Sequence, residues 1–142
     1  RINVLGAVRT LRAALPALKR SESASVVLFS SVAATVGLPF HASIAAAKGA
    51  VESLVRSLAA EFAPRIRFNA VAPSLTDSPL ASRLLANETK REGASARHPL
   101  KRVGECDDQA SAALFLLSDE SSWVTGQVLH VDGGLSSLNT NG

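Results

Sequence analysis

Val26-Val27-Leu28-Phe29-Ser30-Ser31 runs, through a loop holding Gly37 and Pro39, into Ala42-Ser43-Ile44-Ala45-Ala46-Ala47-Lys48-Gly49-Ala50-Val51, and this passage decides the fold. The wholly apolar run at 26–29 reads as a strand covered on both faces, the pattern of a parallel sheet. Beyond the loop, Ile44, Val51, Val55, Leu58 and Phe62 form an apolar stripe that predicts a helix over about 42–61. Its small residues, Ala45, Ala46, Ala47, Gly49 and Ala50, let another backbone approach closely. A hydroxyl, Ser31, thus stands at the end of a strand, and Lys48 lies in the first turns of the next helix. In open α/β sheets, ligands bind in the crevice outside the carboxyl ends of the strands.

Working outward, Ile2, Leu5, Val8, Leu11, Leu15 and Leu18 recur at helical spacing and predict a helix over 2–19, with Pro16 kinking it or making its last turn irregular. Ser21-Glu22-Ser23 is a polar turn. Pro64 closes the region of the second helix, and a strand is expected over 66–71, ended by Pro73. A short helix is expected over 79–92, then a soft loop at 93–95. Asp107 or Asp108 is suited to cap a helix running to about 117. A last strand is expected over 127–131, turning at Asp132-Gly133-Gly134, and the polar tail 136–142 is expected to fray. Strand, helix, strand, helix, helix, strand gives a parallel sheet of about three strands with helices on its faces. An open edge on the first strand would be an aggregation hazard.

The chain has 142 residues and 46% hydrophobic content, which suits one domain with a sizeable core and argues against disorder. Its net charge is only +3 and is spread along the chain, so a nucleic-acid partner is not expected despite a pI of about 9.6. A single cysteine, Cys106, excludes an internal disulfide framework and fits a reducing compartment, so a cytoplasmic location is expected. No apolar run approaches the roughly 18 residues of a membrane span, and no membrane partner is expected. The chain begins with Arg1 and contains no methionine, so a truncated product is expected.

Spacing makes the central passage more specific. Ser31 is followed thirteen residues later by Ile44 and four beyond that by Lys48. Asn3 lies 28 residues before Ser31. Downstream come Asn69-Ala70-Val71-Ala72-Pro73-Ser74-Leu75-Thr76-Asp77-Ser78, then Arg102-Val103-Gly104-Glu105, Val124-Thr125-Gly126-Gln127 and Val131-Asp132-Gly133-Gly134. This ordered set resembles the C-terminal part of a short-chain dehydrogenase/reductase over roughly residues 1–135. That family carries a serine, a tyrosine and a lysine at the spacing of Ser31, Ile44 and Lys48, so the tyrosine position is occupied by Ile44. Its Asn-x-x-x-Pro-Gly-x-x-x-Thr segment falls on 69–78, with Ser74 for the glycine and Ser78 for the threonine.

The resemblance implies the C-terminal portion of one doubly wound, parallel-sheet Rossmann-like α/β domain, with residues 136–142 as its tail. The N-terminal strands and the glycine-rich turn that receives a pyrophosphate would be missing, and no G-x-x-x-G-x-G occurs in the sequence. It implies NAD or NADP as cofactor, a small alcohol or carbonyl substrate, and a homo-oligomer, dimer or tetramer. By the same resemblance, Ser31 orients a carbonyl, Lys48 holds the nicotinamide ribose, Asn3 supports a proton-relay water, and position 44 supplies the proton. Pro73, Ser74, Leu75 and Ser78 fall where the cofactor is contacted, and Ser74 adds a side chain there. An isoleucine donates no proton, so turnover is expected to be poor or absent. A non-catalytic oligomerisation or binding module is the alternative, and a damaged gene product a third reading. His41, three residues before Ile44, is the one conceivable substitute acid. Ser43 should point to another face than Ile44. His98 and His130 lack the spacing of a metal site, and Cys106 lacks a nearby partner for catalysis.

Overall fold

A computed structural model describes residues 2–139; Arg1 and the end of the tail, 140–142, lie outside the described residues. A five-residue π-helical turn, Ile2–Gly6, leads into α1, Ala7–Leu18. Then follow β1 (Ala24–Phe29), α2 (Ala42–Phe62), β2 (Ile66–Pro73), α3 (Glu88–Arg97), α4 (Cys106–Leu117) and β3 (Val128–Val131). The three strands form one parallel sheet in the order β1-β2-β3, with Phe29 opposite Val71 and Ala70 opposite Val128.

Every residue of β2 from Ile66 to Ala72 except Arg67 is buried, as a central parallel strand requires. The alternation of the strands sends Ala24, Val26, Leu28, Ile66, Phe68, Ala70 and Val128 to one face, where α1 and α2 cover them with Leu11, Leu15, Val55, Ala59 and Phe62. The opposite face is polar at its centre. There Arg67 passes under α4 and donates to the carbonyls of Leu116 (3.0 Å), Ser118 (2.9 Å) and Ser121 (2.9 Å), and to the Ser121 hydroxyl (2.7 Å). These carbonyls end α4 and the turn after it; Leu116 also accepts from the Ser25 hydroxyl (2.7 Å), and Ser118 and Ser121 accept the amides of Ser121 (3.3 Å) and Val124 (2.8 Å). Asn69 does the same for the approach to β3, donating to the Val124 carbonyl (2.9 Å) and accepting from the Gln127 amide (3.0 Å).

Pro16 sits in the last turn of α1, whose end tightens into i→i−3 bonds from Arg20 to Ala17 and Ser21 to Leu18. The segment after β2 departs from expectation. Residues 79–92 do not form one helix, and 93–95 are not a loop. Instead a 3₁₀ turn, Pro79–Ala81, is followed by α3, which runs straight through Gly93, Ala94 and Ser95. Asn87 starts α3 by accepting the Lys90 amide (3.0 Å), with Glu88 in its first turn and Arg97 in its last, both complementary to the helix dipole. The cap of α4 is also corrected. Glu105, not Asp107 or Asp108, is the N-cap, and Asp108 closes a capping box by accepting the Glu105 amide (2.7 Å). The start of the tail is tied down, since Ser136 donates its amide (3.0 Å) and its hydroxyl to Asp132, and the Leu138 amide bonds Gly134 (3.0 Å). Among the described residues no helix is long and apolar enough to cross a membrane.

Candidate active site

The C-terminal ends of β1 and β2 set the site. The Ser30 amide donates to the Val71 carbonyl (2.7 Å), which carries the strand pairing one residue past Phe29, just before Ser31. Ser30 points inward and is buried. Its hydroxyl donates to Glu52 Oε1 (2.7 Å), and Glu52, also buried, has Arg56 3.6 Å from its other oxygen. This pair fastens the middle of α2 to the end of β1. Nothing in the Ser31 spacing pointed to it, although a glutamate between Val51 and Val55 on the apolar stripe is a signal that something must pair it.

Lys48, one helical turn before Glu52, is thereby held at the strand end. It is half-buried, and its Nζ donates to the Phe29 carbonyl (2.8 Å). Burial pushes the Lys48 ammonium below its ordinary value. Ile44, half-buried, lies one turn earlier on the same side of α2. Ser31 is half-buried, and its Oγ accepts the Ala33 amide (3.2 Å), capping the 3₁₀ turn Val32–Ala34. Because the oxygen accepts in that bond, the hydroxyl hydrogen remains free to point at a carbonyl. Capping and substrate binding are therefore compatible in one serine.

The other candidates are placed differently. His41 is exposed and its Nδ1 bonds the Pro39 carbonyl (2.6 Å), which turns the ring back to its own loop. Asn3 is exposed on the π-helical turn, and no hydrogen bond joins it to Ser31 or Lys48 among the described residues. Ser43 is exposed, away from the face of Ile44. Pro73 ends β2. The Leu75 carbonyl accepts the Gly104 amide (3.0 Å) and the Asp77 amide donates to the Gly104 carbonyl (2.8 Å), so 75–77 run against 103–104. Ser78, half-buried, opens the turn Pro79–Ala81 and accepts the Ala81 amide on its carbonyl (2.9 Å).

Ser74 is the surprise. Its side chain is drawn to His98, with Oγ 2.8 Å from Nε2. His98 is only 3% exposed, and its Nδ1 lies 2.8 Å from the Ala94 carbonyl. A carbonyl only accepts, so Nδ1 carries a proton, and in the neutral ring Nε2 takes the Ser74 hydroxyl hydrogen. Both residues line a cavity of about 380 Å³, bounded also by Arg102, Gln109, His130 and Asp132. Ser31, Ile44 and Lys48 do not line it. The Asp132 carboxyl is pushed up by burial, but bonds from the Ser136 hydroxyl and amide and the Gly134 amide outweigh this, with His130 adding to them, and the group ends below its ordinary value. Gly133 and Gly134 turn the chain with φ of 62° and 86°. A Cβ on Gly134 would meet Leu138 at 2.8 Å and Pro99 at 3.2 Å, so only glycine lets this turn close against 98–100.

The geometry can be set beside known proteins. A family model described as enoyl-(acyl carrier protein) reductase matches residues 1–136. The chain is 38% identical to 2-(S)-hydroxypropyl-CoM dehydrogenase 3 of Xanthobacter autotrophicus, in an alignment covering 96% of this chain and 56% of that protein. It superposes on the ligand-free aldohexose dehydrogenase of Thermoplasma acidophilum with a TM-score of 0.92 and 34% identity, covering 99% of this chain and 58% of the other. It also superposes on a gluconate 5-dehydrogenase of Burkholderia cenocepacia in complex with NADP and tartrate, with a TM-score of 0.90 and 31% identity over 97% of this chain and 55% of the other. The chain thus spans little more than half the length of these relatives. With a parallel sheet, a lysine bonded to the end of β1 and a family model matched over residues 1–136, the chain belongs to the short-chain dehydrogenase/reductase family.

Proposed function

We propose that this chain is the substrate-side portion of an NAD(P)-dependent oxidoreductase acting on a small alcohol or carbonyl compound, impaired at its proton-transfer position. The observation that carries this reading is Lys48 Nζ held 2.8 Å from the Phe29 carbonyl, two residues before Ser31 in the chain, with Ile44 one turn away on α2. The residues present fit the nicotinamide-ribose end of such a cofactor. Lys48 has three donors and spends one on Phe29, which leaves two for ribose hydroxyls. With Ser74 drawn to His98, the chain at Pro73–Leu75 offers backbone rather than a side chain at the strand end. A pyrophosphate cradle is not supplied by these 142 residues, which contain no G-x-x-x-G-x-G. The NADP held by the gluconate 5-dehydrogenase supports the cofactor class.

A bound nicotinamide supplies a hydride. The chain's own part is to donate the Ser31 hydroxyl hydrogen to the carbonyl oxygen, and to hold the ribose through Lys48. Ile44 has no proton to give, and loss of a general acid typically costs about 10²–10⁴ in rate. A homo-oligomer and a cytoplasmic location belong to the same reading. The isoleucine also favours a second reading, a family-derived binding or oligomerisation module without turnover.

NAD(P)H oxidation over a panel of ketones separates them. In a chain that also carries a glycine-rich turn, Ile44→Tyr is expected to exceed the unaltered sequence by about 10² or more. An ordinary rate with Ile44 in place would overturn the impaired-enzyme reading. Cofactor bound without any gain from Ile44→Tyr would favour the module.

A further inference from the structure

We propose that Ser74 and His98 form a nucleophile–base pair that accepts the acyl group of a small ester seated in the cavity beside them. An activated serine is recognised by geometry: a base within hydrogen-bond reach, and a third group orienting that base. Both conditions hold. Ser74 Oγ lies 2.8 Å from His98 Nε2, and the Ala94 carbonyl, 2.8 Å from Nδ1, fixes the tautomer in which Nε2 is the acceptor. The ring is buried and locked rather than loose. It packs on the bare Cα side of Gly133, where an added Cβ would stand 3.6 Å from His98 Cβ and Cδ2. The Thr76 hydroxyl bonds the Ser74 carbonyl (3.1 Å), which holds the serine's own backbone just beyond the end of β2.

The cavity supplies the room. Its volume of about 380 Å³ falls within the range of small-ligand pockets. The lining includes apolar Leu75 and Leu100, partners for an acyl chain, while the Arg102 guanidinium is held by Asp108 through two bonds (2.7 and 2.8 Å).

The chemistry balances without a co-reactant other than water. Ser74 Oγ attacks the ester carbonyl carbon as its proton passes to His98 Nε2. Collapse of the adduct breaks the bond to the alcohol oxygen, which leaves with that proton, and the acyl group stays on Ser74. Water enters by the same route in reverse, releasing the acid and restoring the hydroxyl. Ser31 and Lys48 do not line this cavity, although Ser74 and Leu75 belong to both readings, and the test needs no cofactor.

The test is covalent labelling of the folded chain with p-nitrophenyl acetate and, separately, with an alkyl fluorophosphonate, read by intact and peptide mass spectrometry. One adduct per chain on Ser74 is expected, absent in Ser74→Ala. His98→Gln is expected to slow labelling by about 10²-fold or more, the share a general base supplies. Should that variant fail to fold, urea-unfolded wild type is the comparison, and it is expected to label Ser74 as slowly as other serines. Adducts spread over other serines, no adduct on Ser74, or a Ser74 rate unchanged by His98→Gln or by unfolding would overturn the proposal.

Discussion

Lys48 keeps a charge half-buried at the end of β1, and that has a measurable sign. Burial lowers its folded-state pKa below the ordinary 10.5, so as pH rises toward 10.5 the folded chain sheds this proton before the unfolded chain does. The unfolded state then binds more protons, and stability rises with pH across that window. Thermal melts of wild type against Lys48→Met are expected to move in favour of wild type as pH climbs toward 10.5; a constant difference would contradict the buried charge. Asp132 behaves oppositely. Its folded value lies below the ordinary 3.8, so its contribution is present above 3.8 and is lost as pH falls through the lower folded value. Asp132→Asn is expected to cost about 1–3 kcal/mol near neutral pH, the worth of hydrogen bonds to a charged group. The gap should close in acid denaturation below 3.8, and a gap that widens there would reverse the assignment.

At the scale of elements, Arg67 is the tie between sheet and covering helix. Its guanidinium satisfies the carbonyls of Leu116, Ser118 and Ser121 where α4 runs out. Arg67→Met keeps much of the stem but removes the guanidinium's bonds, leaving the Leu116 carbonyl to the hydroxyls of Ser25 and Ser121 and the Ser118 and Ser121 carbonyls to the amides of Ser121 and Val124. It is expected to destabilise by about 1–3 kcal/mol in denaturant melts. A change within ~0.5 kcal/mol would mean water replaces the guanidinium fully. None of this was legible in the sequence, because the partners sit 49 to 54 residues away along the chain. The same holds for Ser74 with His98 and for Ser30 with Glu52. By contrast, all three strands and α1, α2 and α4 were readable, since the apolar run at 26–29, the apolar-rich stretches 66–72 and 128–131 and stripes at helical spacing are local signals. α3 was misread because Pro79 looked like a helix start and Gly93 like a break. Asn87 followed by Glu88, with Arg97 ten residues after the cap, was the signal overlooked. Gly93 is tolerated because it lies on an exposed side of a short helix, at the modest cost of a helical glycine.

For the whole molecule, the sheet brings the two proposed sites to neighbouring strand ends, and Ser74 and Leu75 belong to both. One is the end of β1 with Ser31, Lys48 and Ile44, whose serine and lysine positions were legible through the family resemblance. The other is the Ser74–His98 cavity, reached only once β2, α3 and the 132–134 turn were packed together. The nicotinamide reading rests on the first. Reduced nicotinamide mononucleotide addresses it without calling on a pyrophosphate turn. Amide chemical shifts should be followed as this half-cofactor is titrated into the folded chain and into Lys48→Met. Saturable shifts confined to Ser31, Lys48 and the residues around Ser74 and Leu75, and lost in Lys48→Met, are the predicted result. Shifts that ignore the Lys48 substitution, or no shifts at millimolar ligand, would contradict the crevice as a nicotinamide site.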